Sequence, residues 1–177
     1  MAFGKPRQKL YDEASLYEYA VRALGRRMRT VAELKRLLRQ KVEQSELGDL
    51  LVETVIAKLK EQRYLNDTSY AATYSSLRKE NDRFGRRRVI SDLKQRGVHD
   101  DIIEKTVSSA YADTNEEQLA RAFVARKRLK KPTSEKEAAR IFRTMMRAGF
   151  GTRTIIAILK KWDVEDDVLT ALEAESE

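Results

Sequence analysis

Apolar residues recur at helical spacing along nearly the whole chain. Val89, Ile90 and Leu93 form a narrow stripe, Arg86, Arg87 and Arg88 crowd the turn before it, and Gly97-Val98 follows it. Gly97 can adopt the left-handed conformation that closes a helix, and Val98 can fold back on the last turn. The design returns 52 residues later as Ile141, Phe142 and Met145 followed by Gly149-Phe150. Leu34, Leu37 and Leu38 form an earlier copy that lacks the closing glycine. A period near 50 predicts an array of similar helical units.

The segments between these stripes complete three triplets. Leu16, Tyr17, Ala20 and Leu24 predict a helix from Asp12 to Arg27. Thr30 with Glu33 reads as a capping box, in which hydroxyl and carboxylate satisfy each other's orphan backbone donors. Glu43 to Gly48 reads as a loop before a third helix carrying Leu50, Leu51, Val55, Ile56 and Leu59. Asp67 is a candidate N-cap for a helix with Tyr70, Ala71, Tyr74 and Leu77. A short helix opened by Asp100 and Asp101 carries Ile102, Ile103, Val107 and Tyr111. Thr114 with Glu117 and Ser134 with Glu137 repeat the capping-box spacing. The helix after Thr114 carries Leu119, Ala120, Phe123 and Val124. Ile155, Ile156 and Leu159 mark a ninth helix.

The fold class expected from this pattern is all-α, three tandem three-helix repeats forming an elongated, curved array. The expected boundaries are a flexible basic tail at 1–11, repeats at 12–66, 67–113 and 114–162, and an acidic C-terminal tail or helix at 163–177. Seven glycines and two prolines in 177 residues disfavour a turn-rich β fold.

Charge adds a direction. The chain carries a net +8, with 14 basic against 9 acidic side chains in residues 1–66, 9 against 8 in 67–113, and 13 against 11 in 114–177. Such an excess favours polyanionic partners: nucleic acid, an acidic protein surface or anionic lipid. No cysteine is present, which excludes disulfides, thiolate metal sites and cysteine nucleophiles. The N-terminus lacks the apolar core of a signal peptide, and the longest apolar run is far too short to span a bilayer. A cytoplasmic, monomeric protein without membrane contact is expected.

The basic residues cluster. Arg83, Arg86, Arg87 and Arg88 form one group; Arg126, Lys127, Arg128, Lys130 and Lys131 a second; Arg22, Arg26, Arg27 and Arg29 a third. Solvated helix surface is one reading, since Arg and Lys are good helix formers. Clustering brings repulsion that an interspersed surface avoids, so contact with an anionic partner is the other. A helix-turn-helix DNA reader is also compatible with three-helix units. However, Arg86, Arg87 and Arg88 point in three directions around a helix, which suits phosphate or carboxylate contact more than base reading. Tyr64 is expected to wedge two repeats together, and Tyr70 and Tyr74 to pack in a core. His99 is the only histidine, and no phosphate loop, HExxH or zinc spacing occurs. The expectation is a non-enzyme with no cofactor and no metal.

Read together, the motifs resemble the RecX family, regulators of the RecA recombinase. Gly85, Arg88, Val89, Leu93, Gly97 and Val98 stand as G-x-x-R-[IV]-x-x-x-L-x-x-x-G-[IV] does in that family. Tyr64-Leu65-Asn66-Asp67 is similar to its G-Y-L-D-D junction, with Arg63 in place of the glycine and Asn66 in place of the first aspartate. Thr30 to Leu38 resembles its S-x-x-E-L-x-x-x-L segment. Arg147-Ala148-Gly149-Phe150 resembles its R-G-[FY] element, with Ala148 interposed. The resemblance implies three tandem three-helix repeats, and binding to the RecA filament with inhibition of its ATPase, strand-exchange and coprotease activities. It also places the basic clusters near RecA or its single- or double-stranded DNA. The alternative is a basic helical nucleic-acid-binding protein acting independently of RecA.

Overall fold

The computed structural model describes residues 10–174. Among the described residues it is all-helical, with ten α-helices and one π-helical turn. The expected basic tail lies, except for Leu10 and Tyr11, outside the described residues. Tyr11 is tied down: its backbone N–H donates to the Lys41 carbonyl at 3.1 Å. The fold divides into two compact units. The first extends to Tyr70 and includes Gln95–His99; the second holds Ala71–Lys94 and everything from Asp100.

The first unit contains α1 (Glu13–Arg26), α2 (Val31–Arg39) and α3 (Glu46–Glu61), together with the start of α4 (Asp67–Leu77) and the end of α5 (Arg86–Gln95). Asp12 caps α1 by accepting from the Ser15 N–H. Thr30 and Glu33 form the full capping box on α2. Ser45 caps α3, so residues 46–48, read from sequence as loop, are its first turn. The core is Leu16, Ala20, Leu34, Leu38, Val52, Val55, Ile56 and Leu59, closed by Leu65. Leu50, expected in the apolar stripe, is 62% exposed. Val52, Val55, Ile56 and Leu59 share one helical face, and Leu47 and Leu50 fall off it.

The second unit holds the rest of α4 and α5, then α6 (Asp100–Tyr111), α7 (Glu116–Arg126), α8 (Glu135–Arg147), α9 (Thr152–Lys160) and α10 (Asp166–Ala174). The chain leaves α4 through the π-helical turn Arg78–Asp82, and Arg83 closes it at φ +57°. Phe123, Phe142, Met145, Phe150, Ile155 and Leu159 form the centre of the core, with Phe84, Tyr111 and Trp162 packed at its edge. Leu93, Ile56 and Ile156, expected as core positions, are all buried.

Nine helices were expected, with the acidic segment left as a tail or helix, and ten α-helices are found among the described residues. In the acidic C-terminal segment, Leu169 and Leu172 bury one face of α10, and Asp166 and Asp167 in its first turn complement the helix dipole. Two predicted caps also move by one residue. Asn66, not Asp67, accepts from the Ser69 N–H at the head of α4. Asn115, not Thr114, accepts from Gln118 at the head of α7. In each case the neighbouring carboxylate has another tertiary partner. Asp67 accepts from the Val31 N–H at 2.8 Å, and Glu117 pairs with Lys161 and Arg121.

Candidate functional site

The residues that repeat in the sequence form two backbone clasps. In the first unit, the Thr30 hydroxyl donates to the Arg96 carbonyl at 2.7 Å, and Arg96 pairs with Glu33 at 2.8 Å. The carbonyl belongs to the chain just beyond α5, where Gly97 turns at φ +77°. A Cβ on Gly97 would lie 2.5 Å from the Ala32 Cβ. Asp67 supplies the acceptor for Val31, and its burial pushes the carboxyl pKa above the usual carboxylate value against that hydrogen bond.

The second unit repeats the arrangement one step along the chain. Gly85, before α5, donates its N–H to the Ala148 carbonyl at 2.9 Å. Gly149 follows at φ +91°. A Cβ on Gly149 would stand 2.3 Å from the Arg88 backbone nitrogen, and one on Gly85 would stand 2.3 Å from the Gly149 oxygen. Both glycines are therefore dictated by backbone meeting backbone. Arg88 lies over the Phe84 ring, 5.8 Å from its centroid, and pairs with Asp92 at 3.0 Å. Phe150 is fully buried against Phe123, with ring centroids 5.4 Å apart. The quoted motif residues Gly85, Leu93, Gly97, Gly149 and Phe150 are thus scaffold. In the junction Leu65 is buried, whereas Tyr64 is 59% exposed.

The basic clusters differ in how far their charge is already met. Arg126 pairs with Asp82 at 3.2 Å and Lys131 with Asp163 at 2.7 Å, while Lys127 sits over Phe123. Arg128 spends its backbone on closing α7 at φ +52°, and Lys130 is exposed. In the central cluster Arg88 is paired and Arg86 donates to the Ser108 hydroxyl at 2.9 Å; Arg83 and Arg87 are exposed. The first cluster is as little neutralised as the central one. Arg22 pairs with Glu18, but Arg26 and Arg27 are exposed with no acidic partner among the described residues. Arg29 is half-buried, and its Nε is enclosed with no hydrogen-bond partner. The i,i+4 pairs Glu18–Arg22 and Arg88–Asp92 have a local spacing, but Asp82 with Arg126 and Asp163 with Lys131 lie 44 and 32 residues apart and leave no signal in the sequence.

Among the described residues no helix is long and apolar enough to cross a membrane. Among the described residues the scaffold is all-helical and carries exposed cationic patches. Comparison with known proteins shows what it is similar to. The family model described as RecX, second three-helix domain, matches residues 66–107. The regulatory protein RecX of Bacillus velezensis is 31% identical over 164 residues, covering 92% of this chain and 61% of that protein. The regulatory protein RecX of Bacillus subtilis is 28% identical over 159 residues, covering 89% and 59%. The crystal structure of RecX from Lactobacillus salivarius superposes with a TM-score of 0.67 at 20% identity, covering 85% of this chain and 96% of that one. Another regulatory protein RecX gives a TM-score of 0.67 at 19% identity, covering 84% and 71%. Residues 66–107 thus carry the second three-helix domain of RecX, and the chain is similar to RecX regulatory proteins over most of its length. It spans about three-fifths of the length of the curated relatives it matches.

Proposed function

We propose that the chain binds the RecA recombinase filament in the cytoplasm and inhibits its ATPase, strand-exchange and coprotease activities, thereby regulating DNA repair and recombination. Likeness to RecX regulatory proteins over 92% of the chain carries this reading. In it, the triplets at 12–66, 67–113 and 114–162 act as serial contact modules. Several weak contacts on one chain raise effective affinity without any single strong one. The exposed arginines supply those contacts, because charge that is not met internally is available to an anionic surface. Arg26, Arg27, Arg86 and Arg87 are the leading residues, followed by Arg83, Lys130 and the half-buried Arg29. Arg88, Arg126, Lys127, Arg128 and Lys131 contribute in second place, since internal contacts or backbone closure already engage them.

The test is ATP hydrolysis by RecA on single-stranded DNA, titrated with the full chain. Arg26→Glu with Arg27→Glu, and separately Arg86→Glu with Arg87→Glu, should weaken inhibition about tenfold or more while leaving the melting curve in place. Unchanged inhibition by both variants would remove these clusters from the interface. The same variants decide the other reading, direct nucleic-acid binding without RecA. That binding would be sequence-tolerant and would fall steeply with salt as counterions are released.

A further inference from the structure

An open cavity of about 440 Å³ in the first unit lies beside the linker from α1 to α2. Arg29, Arg63, Tyr64, Met28, Leu24 and Tyr70 form most of its wall, and no acidic residue lines it. Three features distinguish it from ordinary surface roughness. First, the Arg29 Nε is enclosed yet has no hydrogen-bond partner, and buried donors are rarely left unmatched without a reason. Second, Tyr64 and Met28, which line it, are 59% and 53% exposed. Third, the second unit shows how the equivalent position is filled. Arg29 immediately precedes the N-cap Thr30 of α2, as Phe84 immediately precedes Gly85 at the head of α5. Phe84 packs into its core, 6.5 Å from Phe123 by ring centroids, and its carbonyl accepts from the Tyr111 hydroxyl at 2.8 Å. Phe84 packs its ring against the core of its unit, whereas Arg29 lines an open cavity.

We propose that this recess is a binding pocket for a carboxylate side chain flanked by an apolar residue on a partner protein. A carboxylate presents two coplanar oxygens, the acceptor geometry that matches the Nε and Nη edge of an arginine. Arg63 adds a second positive charge at the rim, and Leu24, Met28 and Tyr64 offer an apolar wall to the neighbouring side chain. A nucleic-acid strand fits less well, because it favours a groove with cations spaced along the backbone rather than one recess with a single enclosed donor. The proposal rests on the reading that the chain works by docking on a protein.

The experiment uses the full, ¹⁵N-labelled chain and contains no RecA, so its outcome is separate from that of the ATPase titration. The probe is a blocked peptide alternating leucine and glutamate. Controls are the same peptide with glutamine and an oligothymidylate of eight nucleotides. The glutamate peptide should move the Arg29 Nε–Hε resonance downfield and perturb the Tyr64 ring signals, and the glutamine peptide should not. Arg29→Phe, which copies the Phe84 plug, should weaken binding about tenfold or more while keeping the fold. Arg29→Lys, which keeps the charge but loses the fork, serves as the second variant and should also weaken it. Equal shifts with the glutamine peptide, or unchanged affinity in both variants, would overturn the proposal. So would no shift with the glutamate peptide, or an Arg29 shift produced by the oligothymidylate alone.

Discussion

The heads of α2 and α5 are built on one plan and finished differently. Both are met by the carbonyl of a residue just past another helix, Arg96 in the first unit and Ala148 in the second, and both carbonyls are followed by a left-handed glycine. At α2 the contact is made by a side chain, the Thr30 hydroxyl, and the approach is backbone to side chain, Gly97 against the Ala32 methyl. At α5 it is made by backbone, Gly85 N–H, and the approach is backbone to backbone, Gly149 against Arg88. The Thr30 hydroxyl can turn about χ1 to keep its bond, whereas a backbone N–H cannot turn without moving the chain. The second clasp is therefore the rigid one. The residue in front follows the same division: Phe84 seals the rigid clasp, and Arg29 leaves the adaptable one open.

Breaking the rigid clasp should have the largest effect. Gly149→Ala forces a side chain into a left-handed backbone and into Arg88, so denaturant melts should show a loss of about 3–5 kcal/mol. Gly97→Ala, which meets only a methyl group, should lose less than Gly149→Ala in the same measurement; equal losses would erase the distinction between the clasps. Removing the seal comes next. Phe84→Ala should cost about 2–4 kcal/mol, while Arg29→Phe should stabilise by about 0.5–2 kcal/mol by burying apolar area and removing an unmatched donor. A destabilising Arg29→Phe would mean that the recess cannot accept a ring. Gly25→Ala is the control for glycine itself. A Cβ there meets nothing within 4 Å, and the change should gain up to about 1 kcal/mol from helix propensity.

The smallest effect concerns pH. Lys161 and then Arg121 pull the Glu117 carboxyl down from 4.5 to about 2. A lowered folded-state pKa contributes stability that is present above the unfolded value and lost as pH falls through the folded one. The melting temperature should therefore drop on acidification from pH 4.5 towards 2, and Glu117→Gln should make that drop shallower. Glu137 and Asp163, lowered by Thr133 and Lys131 respectively, act in the same direction and keep some of it. An identical acid limb in the variant would show that the Lys161 contact carries no stability in solution.

The amino-acid sequence by itself determined the helical class, the stripes that became the cores, the Thr30–Glu33 capping box, and the glycines at 85, 97 and 149. These are legible because helix periodicity, cap chemistry and left-handed turns act over a few residues and leave a local pattern. It also carried the motifs that mark the family. Only the tertiary structure decided which acids meet which bases, and hence that Arg126 and Lys131 are spoken for while Arg26 and Arg27 are not. Asp82 lies 44 residues from Arg126, and Asp163 lies 32 residues from Lys131; no spacing rule joins them. The displaced caps at Asn66 and Asn115 have the same origin. Asp67 and Glu117 satisfy the local cap pattern, but each is drawn to a distant partner, Val31 or Lys161, and the adjacent asparagine takes the cap. The recess at Arg29 is equally invisible in the chain. Whether the residue before a helix cap is a plug or an open cation depends on the space in front of it, and that space exists only once α1, α3 and α4 have packed.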